Sequence, residues 1–338
     1  KMYRPAPAFF TDEMDKEALQ LYQTFCPGII EELKGFSEES NIPMREMSYE
    51  WMTYLVPGCC GICLPGSRMS DGHTRILRSY EFGIEEEDLT VCRTSIPGKY
   101  THIGTTIATF GRGEGINEHG LAVAQSSCGF PVSNLPQMRR PAIKGLQFWA
   151  VIRTLLENCK SVDEALEMLK DMPIAYNINL YLADSSGMTA LYETMNGAAA
   201  FEKSPGDKKD CLFGTNHIVI KSFQNREPAA MRNSVLRYER IREFLQETGT
   251  KTEEECRAFL LKKYPKGPSA CYYDEWFGTI RSAVLDTKEK RFSICWFGRE
   301  ENGWEDYFAD QELQVCEKEK TLVREKAERG FFEVIPLI

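Results

Sequence analysis

Apolar residues recur along this chain at two spacings, every third or fourth position in some stretches and every second position in others. The first spacing is typical of helices that bury one face, and the second of strands. The helical spacing predicts several helices within the first 58 residues, the last of them over 47–56, and then helices over 143–158, 165–172, 229–248 and 252–261. Alternation predicts strands over 75–82, 105–110, 178–183, 188–193, 212–220, 280–286 and 291–297.

Cap and turn residues mark the ends of several of these elements. Thr11, Ser161 and Thr252 each precede a helical stretch and predict N-caps, because a hydroxyl there accepts a hydrogen bond from a free N–H of the first turn. Asp71 and Gly72 predict a tight turn before the strand over 75–82. No internal repeat or low-complexity linker divides the chain, so nothing in it argues for a second independent domain.

Composition predicts a globular protein and argues against a nucleic-acid partner or a membrane span. A chain of 338 residues with 42% hydrophobic and 27% charged residues predicts a globular protein with a substantial core. The net charge of −9 argues against a nucleic-acid partner, and no apolar run approaches the length of a membrane span. The first ten residues lack the apolar centre of a signal peptide, and the 12 cysteines are scattered. We therefore expect a reducing compartment and a cytoplasmic location.

One stretch, residues 59–82, carries the candidate chemistry. It places Cys59 directly after Gly58, then a turn, then a strand that contains Arg78 and Glu81. If the two segments pair, a thiol, a fixed cation and a carboxylate come together. Such neighbours activate a cysteine as a nucleophile.

This stretch resembles the N-terminal-nucleophile (Ntn) cysteine hydrolases of the choloylglycine hydrolase superfamily, in particular the branch of the acyl-coenzyme A:6-aminopenicillanate acyltransferase. In that branch a Gly-Cys bond is cut autocatalytically, which frees the cysteine as a new N-terminus. Gly58 and Cys59 match the cleavage point, and the segment from Arg78 to Glu81 matches the strand that follows. The sequence departs from the family at Cys60, where Thr or Ser is usual, and at Glu81, where Asp is usual.

A second motif lies in the glycine-rich segment that starts at residue 111. The sequence GINEHGLAVA over 115–124 resembles the turn and strand that lead to the family's active site. A phosphate-binding loop is excluded, since no Lys-Ser/Thr follows and the next segment is strand-like. The resemblance implies an oxyanion-hole donor at about Ser126 or Ser127, where the family has Asn. We assign Ser127, although a backbone N–H there is the alternative.

Two later motifs complete the set of candidate residues. Thr215-Asn216-His217 matches a T-N-H of the acyltransferase branch, whose Asn donates its side-chain amide to the oxyanion. The S-x-x-R-x-x-R spacing in the helix over 229–248 resembles the place of a site arginine. This implies Arg237, with Arg240 as its competitor.

The resemblance implies an α+β protein with a four-layer αββα sandwich. Residues 1–58 are then a helical propeptide that stays bound as a small subunit, and residues 59–338 are the catalytic domain. The implied function is hydrolysis of a linear N-acyl amide, or transfer of its acyl group, by an autoprocessed enzyme without metal or organic cofactor. The implied partner is a small-molecule N-acyl amide, while assembly into a homo-oligomer stays open.

The implied mechanism uses one residue for two tasks. The thiol of Cys59 attacks the acyl carbon, and its α-amine, with an ordinary pKa of about 8, takes and returns the proton. Arg78 stabilises the thiolate and Glu81 orients the amine. Asn216 and a second donor hold the oxyanion.

Three alternatives compete with this assignment. Cys60 is the rival nucleophile, although Gly58 leaves the carbonyl before Cys59 sterically open. Cys60 and Cys63 form a C-x-x-C, the pattern of redox or metal sites, but no helix follows and no second such pair exists. The departures at Glu81 and Ser127 motivate a third alternative, a binding module whose site has decayed.

Overall fold

The computed structural model describes residues 5–53, 58–130, 139–205, 210–247 and 249–337. Its helices are α1 (Asp12–Phe25), α2 (Ile29–Ser40), α3 (Met44–Thr53), α4 (Phe148–Asn158), α5 (Val162–Leu169), α6 (Arg232–Gln246) and α7 (Glu253–Leu261). Its strands are β1 (Cys60–Leu64), β2 (Arg75–Phe82), β3 (Val91–Thr94), β4 (His102–Ile107), β5 (Gly111–Asn117), β6 (Ala122–Ser127), β7 (Ile178–Ala183), β8 (Thr189–Met195), β9 (Ala198–Ser204), β10 (Leu212–Gly214), β11 (Ala229–Met231), β12 (Cys271–Tyr272), β13 (Phe277–Asp286), β14 (Arg291–Trp296), β15 (Glu305–Phe308) and β16 (Val334–Pro336).

Two antiparallel sheets form the centre of the described chain. The first has the order β10-β1-β2-β13-β14-β15, with β12 paired to β13. The second runs from β3 to β9 in sequence order, as a meander in which α4 and α5 lie on the long connection between β6 and β7. In the first sheet β1 pairs with β2 so that Gly61 lies opposite Arg78 and Cys60 opposite Ser79. This register fixes which of these side chains share a face.

Helices cover the outer face of each sheet. On the first sheet, Ile62 and Leu77 pack against Ile241 of α6 and Leu260 of α7. On the second sheet, α4 lies along β5 and β6, and α1, α2 and α5 join the same apolar core. The expected four-layer αββα sandwich is confirmed, with each sheet buried on both sides.

Close contact between the sheets depends on a glycine. A Cβ added to Gly61 would lie 2.3 Å from the ring of Tyr181 in β7. No larger residue fits there, so the absence of a side chain lets the strand that starts at Cys60 approach the second sheet. The start of β1 is thereby buried between the two sheets.

The predicted helix caps are confirmed. The hydroxyls of Thr11, Ser161 and Thr252 accept hydrogen bonds from backbone N–H groups three residues later, at 3.2–3.3 Å. The helices predicted over 165–172 and 252–261 and most predicted strands agree with the structure to within three residues at each end. The helix predicted over 47–56 corresponds to α3, and its last three positions lie outside the described residues.

The helix predicted over 143–158 begins later than expected, at Phe148. The backbone of Leu146 is engaged elsewhere, since its N–H donates to Pro173 at 2.7 Å and its carbonyl accepts from Ala175 at 3.1 Å. Leu146 thus forms a strand-like bridge with the segment over 173–175, so its backbone cannot join the helix that the pattern predicts.

The strand predicted over 212–220 ends at Gly214. The backbone N–H groups of Val219 and Ile220 donate to the carboxylate of Glu193, at 2.7 and 2.9 Å, where in a sheet they would donate to a neighbouring strand. The intervening residues therefore leave the sheet as a loop.

The helix predicted over 229–248 begins at Arg232, because the three residues before it form β11 and pair with β16 near the C-terminus. That partner is distant in sequence and gives no local signal. None of the helices that the structure describes is long and apolar enough to cross a membrane.

Candidate active site

The bond between Gly58 and Cys59 lies buried at the start of β1, in a conformation with little room. A Cβ on Gly58 would lie 2.1 Å from the carbonyl oxygen of Glu81, so only glycine fits. Cys59 has a φ of +89°, in the left-handed region that residues with a side chain rarely adopt. Such a conformation costs on the order of 1–3 kcal/mol. Strain is therefore concentrated at the bond that the family motif marks for cleavage.

Two side chains donate hydrogen bonds to the carbonyl oxygen of Gly58. One is the amide Nδ2 of Asn216, and the other is the hydroxyl of Ser127, at 3.4 Å. The same Asn216 amide lies 3.0 Å from the Ser127 hydroxyl, which connects the two donors. This is the arrangement of an oxyanion hole, with the carbonyl of the chain itself in it.

Strand alternation decides between the two candidate serines. Ser127 projects toward the carbonyl of Gly58. Ser126 projects from the other face, where its hydroxyl donates to the carbonyl of Thr215 at 2.6 Å and lies 2.8 Å from the hydroxyl of Tyr181. Ser126 thus supports the loop that carries Asn216 and does not line the site.

Glu81 and Arg237 hold the backbone of Cys59 from either side. The N–H of Cys59 donates to Oε2 of Glu81 at 2.9 Å, and Arg237 donates to the carbonyl of Cys59 at 3.1 Å. Arg237 also donates to the Oδ1 of Asn216 at 2.5 Å, which leaves the Asn216 amide group turned toward the carbonyl of Gly58. One buried guanidinium therefore orients both the nucleophile candidate and the oxyanion donor.

The longer side chain of Glu81 is accommodated where the family usually has Asp. Its second oxygen, Oε1, accepts hydrogen bonds from the hydroxyls of Ser79 and, at 3.1 Å, Thr279. Arg240, the competitor of Arg237, is half-exposed and donates to the carbonyl of Pro265. The structure thus places the motif residues Glu81, Asn216, Arg237 and Ser127 around the Gly58–Cys59 bond. Arg240 lies outside this site.

The thiol of Cys59 faces Arg78. Burial raises the pKa of this thiol to about 11, and the charge of Arg78 opposes that effect. Arg78 donates through Nε to Glu114 at 2.6 Å, while its buried Nη1 and Nη2 have no hydrogen-bond partner among the described residues. Both Nη groups are therefore available to an anion that forms in the site.

A charge cluster that sequence reasoning missed holds Arg78 in place. Glu114 lies between Arg78 and Arg281 and accepts from Nε of each at 2.6 Å. Burial alone would raise the pKa of Glu114, but the two cations outweigh it and lower the pKa to about 2. Arg281 also pairs with Glu87 at 3.1 Å, so the cluster holds two cations and two anions, and Arg78 is the member whose charge acts most on the thiol. A lone carboxylate within the glycine-rich strand β5 was the available signal.

The C-x-x-C does not form a redox or metal pair. Cys60 and Cys63 are three positions apart in one strand and point to opposite faces, Cys60 into the apolar cluster under α6 and α7 and Cys63 between the sheets. All cysteines of the described chain are free thiols. Within the described ranges, no group of three or more His, Cys, Asp or Glu side chains is placed to hold a metal ion.

The cavity beside Cys59 is small and closed. Its volume of about 10 Å³ admits about one water molecule. Besides the residues named above, its lining includes four aromatic side chains and one amide, from Tyr80, Phe82, Phe148, Tyr176 and Gln125. With the Gly58–Cys59 bond intact, the site is thus filled by its own chain.

Comparison with known families gives one match. The sequence model of the family described as acyl-coenzyme A:6-aminopenicillanic acid acyl-transferase matches residues 68–301, which is more than half of the chain. No curated protein matches the sequence.

Two solved structures of one hydrolase share the fold at low sequence identity. A mutant of conjugated bile acid hydrolase from Clostridium perfringens is 13% identical, with a TM-score of 0.50 over 80% of this chain and 100% of that one. A second variant of the same hydrolase is 12% identical, with a TM-score of 0.51 over the same shares. Penicillin V acylase from Agrobacterium tumefaciens is 16% identical over 73% of this chain and 77% of that one, with a TM-score of 0.38.

Proposed function

The chain belongs to the acyl-coenzyme A:6-aminopenicillanic acid acyl-transferase family, and we propose that its nucleophile is Cys59, freed as a new N-terminus by cleavage of the Gly58–Cys59 bond. It is an enzyme of the Ntn type that hydrolyses linear amide bonds or transfers their acyl groups. The observation that carries the proposal is the carbonyl of Gly58, held by Asn216 and Ser127 next to the thiol of the following residue.

Self-cleavage begins with attack of the Cys59 sulfur on the carbonyl carbon of Gly58. The oxyanion forms where the carbonyl oxygen already accepts hydrogen bonds from Asn216 and Ser127. The C–N bond then breaks, which leaves a thioester and a free α-amine on Cys59. Water hydrolyses the thioester to the carboxylate of Gly58 and returns the thiol.

The liberated amine then serves the mature enzyme as its base. It replaces the N–H that donates to Glu81, so the same carboxylate orients it. The amine takes the proton of the thiol, and Arg78 stabilises the thiolate that attacks the acyl carbon of the substrate. The amine then protonates the leaving nitrogen. Water or an acceptor amine releases the acyl group from the thioester, which gives hydrolysis or transfer.

Residues 1–58 are proposed to stay bound after cleavage as a small subunit. Tyr22 of α1 and Leu33 of α2 are fully buried in the core that contains α4. Glu32 of α2 also forms an ion pair with Arg153 of α4, which is itself nearly buried. These contacts do not depend on the bond at Gly58, so they support a complex of two chains.

The proposed substrate is a small linear N-acyl amide with an apolar acyl group. The aromatic side chains of Tyr80, Phe82, Phe148 and Tyr176 line the cavity next to Cys59 and support this class. Apolar walls around few polar groups are typical of small-molecule sites.

Intact mass and N-terminal sequencing of the purified protein test the proposal. We expect two chains that separate only on denaturation, the second beginning at Cys59, and release of free amine from a panel of N-acyl amides. A single unbroken chain under native conditions contradicts the proposal, because the base would remain tied up in a peptide bond.

A further inference from the structure

Gln125 faces the cavity of Cys59 from strand β6. It lies two residues before Ser127, so both side chains project from the same face of the strand, while Ser126 between them projects from the other. Gln125 is 2% exposed and lines the cavity together with Cys59 and Ser127. Its side chain therefore belongs to the site, although no motif singled it out.

The side-chain oxygen of Gln125 is buried and has no hydrogen-bond partner among the described residues. An acceptor left in that state costs about 1–3 kcal/mol. Buried polar atoms in native proteins are paired as a rule, so this oxygen requires a partner, and the N–H of a bound substrate is a donor that can supply it. None of the described residues of the uncut chain provides that group.

Apart from the Nη groups of Arg78, which are donors, the other polar groups at the reacting bond have partners among the described residues. The hydroxyl of Ser127 and the amide of Asn216 hold the carbonyl oxygen of Gly58. The carboxylate of Glu81 holds the nitrogen of Cys59, which remains in place as the amine of the mature protein. Within the described part of the site, an incoming substrate therefore finds donors for its carbonyl oxygen and, in Gln125, an acceptor without a hydrogen-bond partner.

A linear secondary amide has one acceptor at the reacting bond, its C=O, and one donor, its N–H. On the proposed function, the substrate carbonyl takes the position of the Gly58 carbonyl, and the N–H then requires an acceptor. We propose that the side-chain oxygen of Gln125 accepts the hydrogen bond of the scissile N–H, so that the site selects secondary amides over esters. This assignment rests on the proposed function of Cys59 and names its substrate class more closely.

Two probes that differ only in the leaving-group atom of the scissile bond, N–H or oxygen, test the assignment. One is the 4-nitroanilide of phenylacetic acid, which has the N–H, and the other is the 4-nitrophenyl ester, which has oxygen instead. In Gln125→Met, which keeps the size and removes the acceptor, kcat/KM for the anilide falls about tenfold, as expected for one lost hydrogen bond. For the ester it stays within about twofold, so the amide-to-ester ratio drops.

Gln147→Met is the matched control, because Gln147 is also a buried glutamine but lines a different pocket, between α1 and the segment before α4. We expect it to leave the amide-to-ester ratio unchanged. Equal losses for both probes in Gln125→Met, or no loss for either, overturn the assignment.

A further variant covers the case in which Gln125→Met does not fold. Gln125→Glu keeps both the size and an acceptor oxygen, so the amide-to-ester ratio should be retained, and a reduced ratio overturns the assignment. If the wild-type protein cleaves itself but turns over neither probe, nor the 4-nitroanilides and 4-nitrophenyl esters of octanoic and acetic acid, the proposed activity on amides fails and the assignment with it. The wild-type result thus separates the two failures.

Discussion

Cys59 and Cys60 are neighbours in the chain, yet they occupy different chemical surroundings. Both thiols are buried, and burial raises the pKa to about 11 for Cys59 and about 12 for Cys60. After burial, the largest influence on the pKa of Cys59 is the cation of Arg78, which lowers it. For Cys60 the largest influence after burial is the anion of Glu81, which raises the pKa further. One thiol faces the other sheet and the oxyanion donors, and the other lies in the apolar layer under α6 and α7.

The face of the sheet from which a thiol projects therefore decides whether charged groups can activate it. In a strand, adjacent residues project to opposite faces, so a shift of one position exchanges a charged environment for an apolar one. The backbone of Cys59, by contrast, is reached from the helical side by Arg237. The site therefore surrounds the start of β1, with the thiol on one side and Arg237, which holds the backbone of Cys59, on the other.

Removal of each thiol in turn is the strongest test of this comparison. Cys59→Ala is expected to abolish both self-cleavage and turnover, a loss of about 10⁴-fold or more, because the attacking atom is gone. Gel analysis and amine release measure the two effects. A Cys59→Ala protein that still splits before residue 59 would exclude this thiol as the nucleophile.

The proposed oxyanion hole provides the next largest expected effect. Asn216→Asp replaces a donor by an acceptor at the carbonyl of Gly58, and self-cleavage should slow by about 10²–10³-fold. Asn158→Asp, at the end of α4, changes the same side chain outside the site and should leave the rate unchanged. A time course of chain splitting after cell-free synthesis compares the two variants, and similar rates would contradict the assigned role.

The cation beside Cys59 predicts a pH dependence. With the pKa of the thiol at about 11, the thiolate fraction in the uncut chain rises with pH up to that value, and so should the rate of self-cleavage. Arg78→Met removes the influence that lowers the pKa, so the pH profile should move to higher pH. At a fixed pH below the pKa, the rate should then fall about tenfold for every pH unit by which the profile moves. Arg78→Lys retains the charge and should lie between the two. An unchanged profile in Arg78→Met argues against the contact.

The smallest effect is expected at the other thiol. Cys60→Ala removes a small apolar group from the cluster under α6 and α7, which should lower the free energy of unfolding by about 1 kcal/mol. Self-cleavage and turnover should persist, because no group of the proposed mechanism is touched. Urea denaturation and the cleavage assay check both statements. Loss of cleavage in a folded Cys60→Ala protein would reverse the comparison between the two thiols.

Much of the candidate site could be predicted from the sequence because several of its residues are close together in the chain. Cys59 directly precedes β1, and Arg78 and Glu81 lie on β2, which pairs with β1 after the connection over 65–74, so a hairpin pattern was sufficient to predict that they meet. Asn216 and Arg237 come from distant segments, and only their resemblance to family motifs pointed to them.

Arg281 and Gln125 gave no usable signal, and Glu114 gave only that of a lone carboxylate in a glycine-rich strand. Glu114 in β5 meets Arg281 in β13, and Gln125 in β6 lines a cavity with Cys59, and the partners of each pair are far apart in the chain. The loop at Asn216 was likewise predicted as a strand, since the hydrogen bonds that Glu193 supplies to it are not visible in a local pattern.

The sequence by itself determined the alternating strands, the capped helices and the glycine before Cys59, because steric and hydrogen-bond preferences of a few adjacent residues set these features. The tertiary structure decided which face of β1 meets charge and which meets apolar helices. It also decided that the carbonyl of Gly58 lies between Asn216 and Ser127. Burial between two sheets brings together residues that are distant in the chain, and their mutual charges and hydrogen bonds exist only once both sheets are in place.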